Sequence, residues 1–71
     1  MDTKKGHSNI ASNMKKYRTQ CGFSQAKLSE ISGVTYNTII KIESGANKNP
    51  TIETLGKITK TLGVGVDDLI Q

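Results

Sequence analysis

The sequence predicts an all-α protein: a compact bundle of five short helices. Three observations lead there. Apolar residues recur at spacings of three and four, and no stretch sustains the alternation of a strand. Gly22, Gly33, Gly45 and Gly63 each close such a periodic segment, at the place where a helix end favours a residue free to take positive φ. A short polar residue or a glycine then stands before the next segment, suited to the free N–H groups of a helix start.

The first helix is expected over 9–21, capped by Ser8 or Asn9, with Ile10, Met14, Tyr17 and Cys21 on one stripe. Ser24 caps a second helix over 25–32, with Leu28 and Ile31 turned inward. Thr35 caps a third over 36–44, with Ile39 and Ile42 inward. Pro50 ends the following loop, and Thr51 caps a fourth helix over 52–62 with Ile52, Leu55, Ile58 and Leu62 inward. Gly56 inside it costs roughly 1 kcal/mol relative to alanine. Gly65 is a weaker cap for a fifth helix over 66–70, which carries Val66, Leu69 and Ile70. Asp67 and Asp68 fall in its first turn, where the helix dipole favours negative charge. Residues 1–8 lack periodicity and are expected to be a flexible tail before one domain over 9–71.

At 71 residues, one domain is the expectation, with no room for a separate sensor or catalytic unit. One cysteine, Cys21, and one histidine, His7, exclude an internal disulfide and a Cys/His zinc site. No metal, cofactor or small-molecule ligand is expected. Apolar runs are pairs such as Ile39-Ile40, so no membrane span is expected, and Lys4 and Lys5 precede no apolar stretch of a secretory signal. The expected location is a reducing cytoplasm. The formal charge is +4, and it is uneven. Residues 1–49 hold eight basic groups against three acidic ones, while residues 50–71 hold two against three. A small domain basic at one end suits a polyanion.

Residues 25–44 read QAKLSEISGVTYNTIIKIES. Two short helices meet at the turn Ser32-Gly33-Val34, Ser29 is small enough for close approach, and Val34, Ile39 and Ile42 face back onto Leu28. That set of constraints describes a helix-turn-helix, whose second helix enters the DNA major groove. With Gly22-Phe23-Ser24-Gln25, Ser32-Gly33-Val34-Thr35, Ile42-Glu43-Ser44-Gly45, Asn49-Pro50-Thr51 and Leu62-Gly63-Val64, the chain resembles Cro/repressor-type (XRE-like, lambda-repressor-like) helix-turn-helix regulators over roughly 10–70. The resemblance implies a five-helix fold, dimeric operator binding and transcriptional control. The short length resembles restriction-modification controller proteins or small phage repressors. Ser29 stands where the family often has alanine, and Ser32 where it has a longer apolar side chain; both are expected to weaken core packing. The stretch 46–49 is less basic than in many relatives, which lowers the expected strength of backbone contacts there.

At 100° per residue, Asn37, Lys41 and Ser44 lie opposite Ile39 and Ile42, flanked by Tyr36 and Ile40. Asparagine can pair with adenine and lysine with guanine. Tyr36 can stack or meet a phosphate. Ile40 either touches a thymine methyl or is a partly covered residue. Thr35, beyond its cap, and Asn47 and Lys48, after the helix, are candidates for the DNA backbone; Lys15 and Lys16 are weaker ones. Gln25 opens the second helix, where free N–H groups favour phosphate. The resemblance implies that it contacts DNA and buttresses the recognition helix. It also implies an ion pair between Arg18 and Glu43 across the first and third helices, orienting the latter.

No catalytic constellation is present, so no enzyme is expected. The expected function is sequence-specific binding of double-stranded DNA at a palindromic operator by a homodimer. Val64, Val66, Leu69 and Ile70 are its expected dimer contact, because they exceed what one short helix buries. The alternative is a protein-binding module, an antitoxin or adaptor, which would show an exposed apolar patch away from the third helix.

Overall fold

A computed structural model describes residues 9–71; the candidate tail 1–8, with His7 and the alternative cap Ser8, lies outside the described residues. Five helices follow in order: α1 (Ile10–Gln20), α2 (Gln25–Ser32), α3 (Tyr36–Ser44), α4 (Ile52–Leu62) and α5 (Val66–Ile70). There is no strand among the described residues, and no helix is long and apolar enough to cross a membrane. The all-α expectation therefore holds, with helix ends within a residue of those read from the sequence.

The ends hold for the expected reason. The hydroxyls of Ser24, Thr35 and Thr51 accept from the amides of Lys27, Thr38 and Thr54. Each removes one orphan donor from a helix start. Gly33 and Gly45 have φ of 79° and 84°, which turns the chain sharply on both sides of α3. Asn9 precedes α1 but makes no side-chain cap; its amide donates to the Gln71 carbonyl at 3.2 Å instead. Asn13 reaches the same place, donating to Leu69 O at 2.8 Å and Gln71 O at 3.1 Å. The last turn of α5 thus finds its carbonyl partners on α1.

α1 packs against α3 and α5, α2 against α3 and α4, and α4 against α5. The core between them comprises Ile10, Met14, Leu28, Val34, Ile39, Ile42, Leu55, Ile58, Leu62 and Leu69, with Tyr17, Phe23, Val64 and Val66 partly buried against it. Two residues expected inside are outside, Ile31 at 48% exposed and Ile52 at 72%, while Ile70, expected at a dimer contact, is 46% exposed. α2 has only two turns, and Leu28 takes the inward line while Ile31 falls at its edge. Ile52 opens α4, where a side chain leans back past the helix end and beyond the core. Ile70 ends α5, one step round from the buried Leu69. Cys21 is exposed rather than part of the α1 stripe, its Sγ lying 3.7 Å from the Leu62 carbonyl.

The turn between α2 and α3 corrects a second expectation. Ser29 Oγ donates to the Val34 carbonyl at 2.6 Å, and Ser32 Oγ accepts from the Val34 amide at 3.2 Å. Both backbone groups of a buried turn residue are satisfied by those serines. An unmade bond there would cost about 1–3 kcal/mol. The serines exchange apolar contact for a closed turn rather than simply loosening the core.

Candidate nucleic-acid interface

α3 carries two opposed faces. Ile39 and Ile42 are buried completely or nearly so, and they anchor the helix. On the other side Tyr36, Asn37, Lys41 and Ser44 are exposed, and Ile40 is half-buried on the flank. The expected outward strip is therefore assembled on a helix whose inner side is fixed. Ile40 matches the partly covered reading in its burial, while its remaining surface still lies beside the strip.

Glu43 is buried although it carries a carboxylate. Its side chain is 2% exposed and faces Arg18 of α1, with Nε to Oε2 at 2.6 Å and Nη2 to Oε1 at 3.1 Å. This is the two-pronged pairing in which the planar guanidinium matches a carboxylate. Arg18 Nη1 also donates to the Phe23 carbonyl at 2.7 Å, so the same side chain holds the α1–α2 loop. The expected ion pair is present, and it has a third member. Gln25 Nε2 donates to Glu43 Oε1 at 2.9 Å. The amide of Gln25, expected both at the DNA backbone and as a buttress of the recognition helix, is engaged with the recognition helix. Residues 18, 25 and 43 are too far apart in sequence for spacing to reveal a three-way contact. Lys15 and Lys16 line an open groove above it with Ala11, Ser12 and Thr19.

Hydroxyls near the strip also have local duties. Thr35 Oγ1 lies 2.7 Å from Thr38 Oγ1, a neighbour not singled out from the sequence. A second hydroxyl at the third position of a helix is the signal that could have found it. Ser44 Oγ donates to the Lys41 carbonyl at 3.1 Å and accepts from the Ala46 amide at 3.3 Å. The Asn47 amide returns to the Lys41 carbonyl at 2.9 Å, and its side chain accepts from the Asn49 amide at 3.0 Å. These bonds shape the loop after α3, from which exposed Lys48 projects.

The candidate dimer contact divides. Ile70 is exposed, and Val64 and Val66 are half-buried. Leu69 has no exposed surface, because it fills the space between α1, α4 and α5, and so it offers nothing to a second copy.

Comparison with known proteins finds that the family model described as Helix-turn-helix, HTH_3, matches residues 14–69. The HTH-type transcriptional regulator SinR of Bacillus subtilis is 34% identical over 62 residues, covering 87% of this chain and 56% of SinR. SlrR of the same organism is 36% identical over 55 residues, covering 78% of this chain and 36% of SlrR. The chain thus spans about half, or less, of the length of these relatives. Among solved structures, SinR in complex with DNA has a TM-score of 0.82 and 35% identity, over 84% of this chain and 95% of that one. The restriction-modification controller protein C.AhdI from Aeromonas hydrophila has a TM-score of 0.81 at 22% identity, over 89% of this chain and 94% of that one, a likeness of fold alone.

Proposed function

This chain belongs to the Helix-turn-helix family HTH_3, and from that premise we propose that it is a transcription regulator that binds double-stranded DNA sequence-specifically, with α3 in the major groove. The observation that carries the proposal is the exposed strip Tyr36, Asn37, Lys41 and Ser44 on a helix fixed from behind by Ile39, Ile42 and the Arg18–Glu43 pair. A helix that reads bases must present hydrogen-bonding groups outward and must not roll, and α3 meets both demands. Similarity to a SinR structure solved with DNA supports the same reading.

In this reading Asn37 and Lys41 meet base edges, with Tyr36 and Ile40 beside them. Thr35, Ser44, Asn47 and Lys48 lie toward the sugar-phosphate backbone. Residues 9–71 act as one DNA-reading domain in the cytoplasm. One helix reading a few base pairs discriminates too little for a genome, so two copies bind a palindrome with half-sites about 34 Å apart. Ile70, with the exposed parts of Val64 and Val66, is the apolar surface available for their contact. Selection from a random duplex pool with the purified protein tests the proposal. Recovery of a palindrome supports operator binding and pairing together; a single unpaired half-site argues against the dimer.

A second reading has a specific observation in its favour. Ile31 and Ile52 are exposed on α2 and α4, away from the outward strip of α3. A helix-turn-helix serving as a protein-binding module, an antitoxin or adaptor, would present such residues. Failure of the selection to enrich any sequence would favour it.

A further inference from the structure

The outer face of α3 differs between its two flanks. Its centre, Asn37, Lys41 and Ser44, is polar and exposed. On one flank stands Thr38, whose hydroxyl lies 2.7 Å from that of Thr35. On the other stand Tyr36 and Ile40, one helical turn apart, so that their side chains adjoin. Tyr36 is exposed and Ile40 is half-buried. Glu43 continues this flank, but it is buried and bound by Arg18 and Gln25. Apart from the tyrosine hydroxyl, the open part of the flank is therefore hydrocarbon. The core does not call for it, because Ile39 and Ile42 already supply the inward contacts of α3.

The major groove offers one apolar group, the C5 methyl of thymine; the other bases present hydrogen-bonding atoms there. We infer that the Tyr36–Ile40 flank recognises a pyrimidine that carries a C5 methyl, with Ile40 in contact with the methyl group and Tyr36 screening it from water. The inference deepens the proposed role of α3 as the base-reading helix and rests on it. Asn37 and Lys41 sense donors and acceptors; the apolar flank adds a preference for a group that no hydrogen bond can sense. 5-Methylcytosine carries the same group, so methylation of a cytosine at that place strengthens binding rather than blocking it. The competing role for Ile40 is packing alone, which is blind to the methyl.

Replacing dT by deoxyuridine removes one methyl and leaves every hydrogen-bonding group in place. In the duplex recovered by selection, each dT is replaced in turn, and affinities are measured at one salt concentration. At one or two thymines the affinity should fall about fourfold, the worth of one buried methyl group, while the remaining positions stay within about 1.5-fold. A cytosine put at the responding position should bind about fourfold more tightly when it is methylated at C5. Ile40→Ala should abolish both differences, and Ile40→Val, milder for folding, should reduce them. Lys41→Ala should lower affinity and keep them. Each comparison is made within one protein, so a loss of stability does not imitate the result. A recovered sequence without thymine, thymines that do not respond, a cytosine whose methylation changes nothing, or differences undiminished in either Ile40 variant would each overturn the inference. A parent chain that prefers no duplex overturns the DNA-binding reading and this inference with it. A preference among duplexes that is indifferent to the C5 methyl overturns the inference alone.

Discussion

α3 and α5 are both short helices seated on the same core, yet they are held by different means. α3 is tied by charged and polar side chains arriving from two directions, Arg18 and Gln25, at a buried carboxylate. The turn leading into it is closed by Ser29 and Ser32. α5 is held chiefly by apolar burial of Leu69, with Asn13 and Asn9 donating to the carbonyls at its end. Apolar contact is non-directional and tolerates small shifts. Hydrogen bonds and bidentate ion pairs tolerate few, because their strength falls with distance and angle. The helix proposed to read bases is the one with directional ties from two neighbouring elements. α5, by contrast, has directional ties only at its last turn, through Asn9 and Asn13, and no ion pair among the described residues.

The largest expected effect tests the directional side. Glu43→Gln leaves Arg18 facing a neutral amide, and removal of one partner from a buried pair costs about 3–5 kcal/mol. A urea melt should register a loss near that scale, a large part of what a chain this small possesses. A loss under about half a kcal/mol would make the pair superficial and dissolve the contrast. Leu69→Ala tests the apolar side, with an expected loss of about 3 kcal/mol by the same melt. Its effect on sequence discrimination should be slight, and a variant that stays folded but loses preference would contradict the division between the two helices.

Smaller effects sharpen the picture at the DNA. Lys41→Ala should reduce discrimination by about 1–3 kcal/mol at the matched base pair. Lys48→Ala should weaken all duplexes and lower the salt slope by about one. Titrations on matched and scrambled duplexes at two salt concentrations separate them, and equal loss of specificity from both would remove the assigned roles. Asn13→Ala should cost about 1 kcal/mol and raise amide exchange in α5 without touching α3. The smallest change is a gain. Nothing lies within 4 Å of a Cβ placed on Gly56, so Gly56→Ala should raise stability by about 0.5–1 kcal/mol, read as a higher melting temperature.

The five helices were legible in the sequence because their boundaries are local matters. A hydroxyl three residues before the amide it caps, and a glycine just past the last turn, set both ends of α2, α3 and α4 without help from the rest of the chain. The outward strip of α3 was legible too, since periodicity alone separates Asn37 and Lys41 from Ile39 and Ile42. Periodicity failed at the margins. It places Ile31 and Ile52 inward, but a spacing rule names a side of a helix and says nothing of where the core stops. Family resemblance implies both the Arg18–Glu43 pair and a buttressing role for Gln25, but that Gln25 acts through Glu43 depends on how α2 meets α3. Ser29 and Ser32 read in the sequence as weaker core packing, because the open backbone groups of Val34 that they satisfy exist only once the turn has formed.

Asn9 and Asn13 hold the carbonyls of Leu69 and Gln71, partners 56 to 62 residues away along the chain. In terms of synthesis, these contacts must wait until nearly the whole described chain has left the ribosome. α1 can meet α3 earlier, so its inner half can settle while its beginning still lacks a seat. The entropy of closing so long a loop grows only slowly with length, so the late step adds little to the cost. What it imposes is an order: the half of the domain that carries α2 and α3 can assemble first, and the joining of α1 to α5 completes the fold.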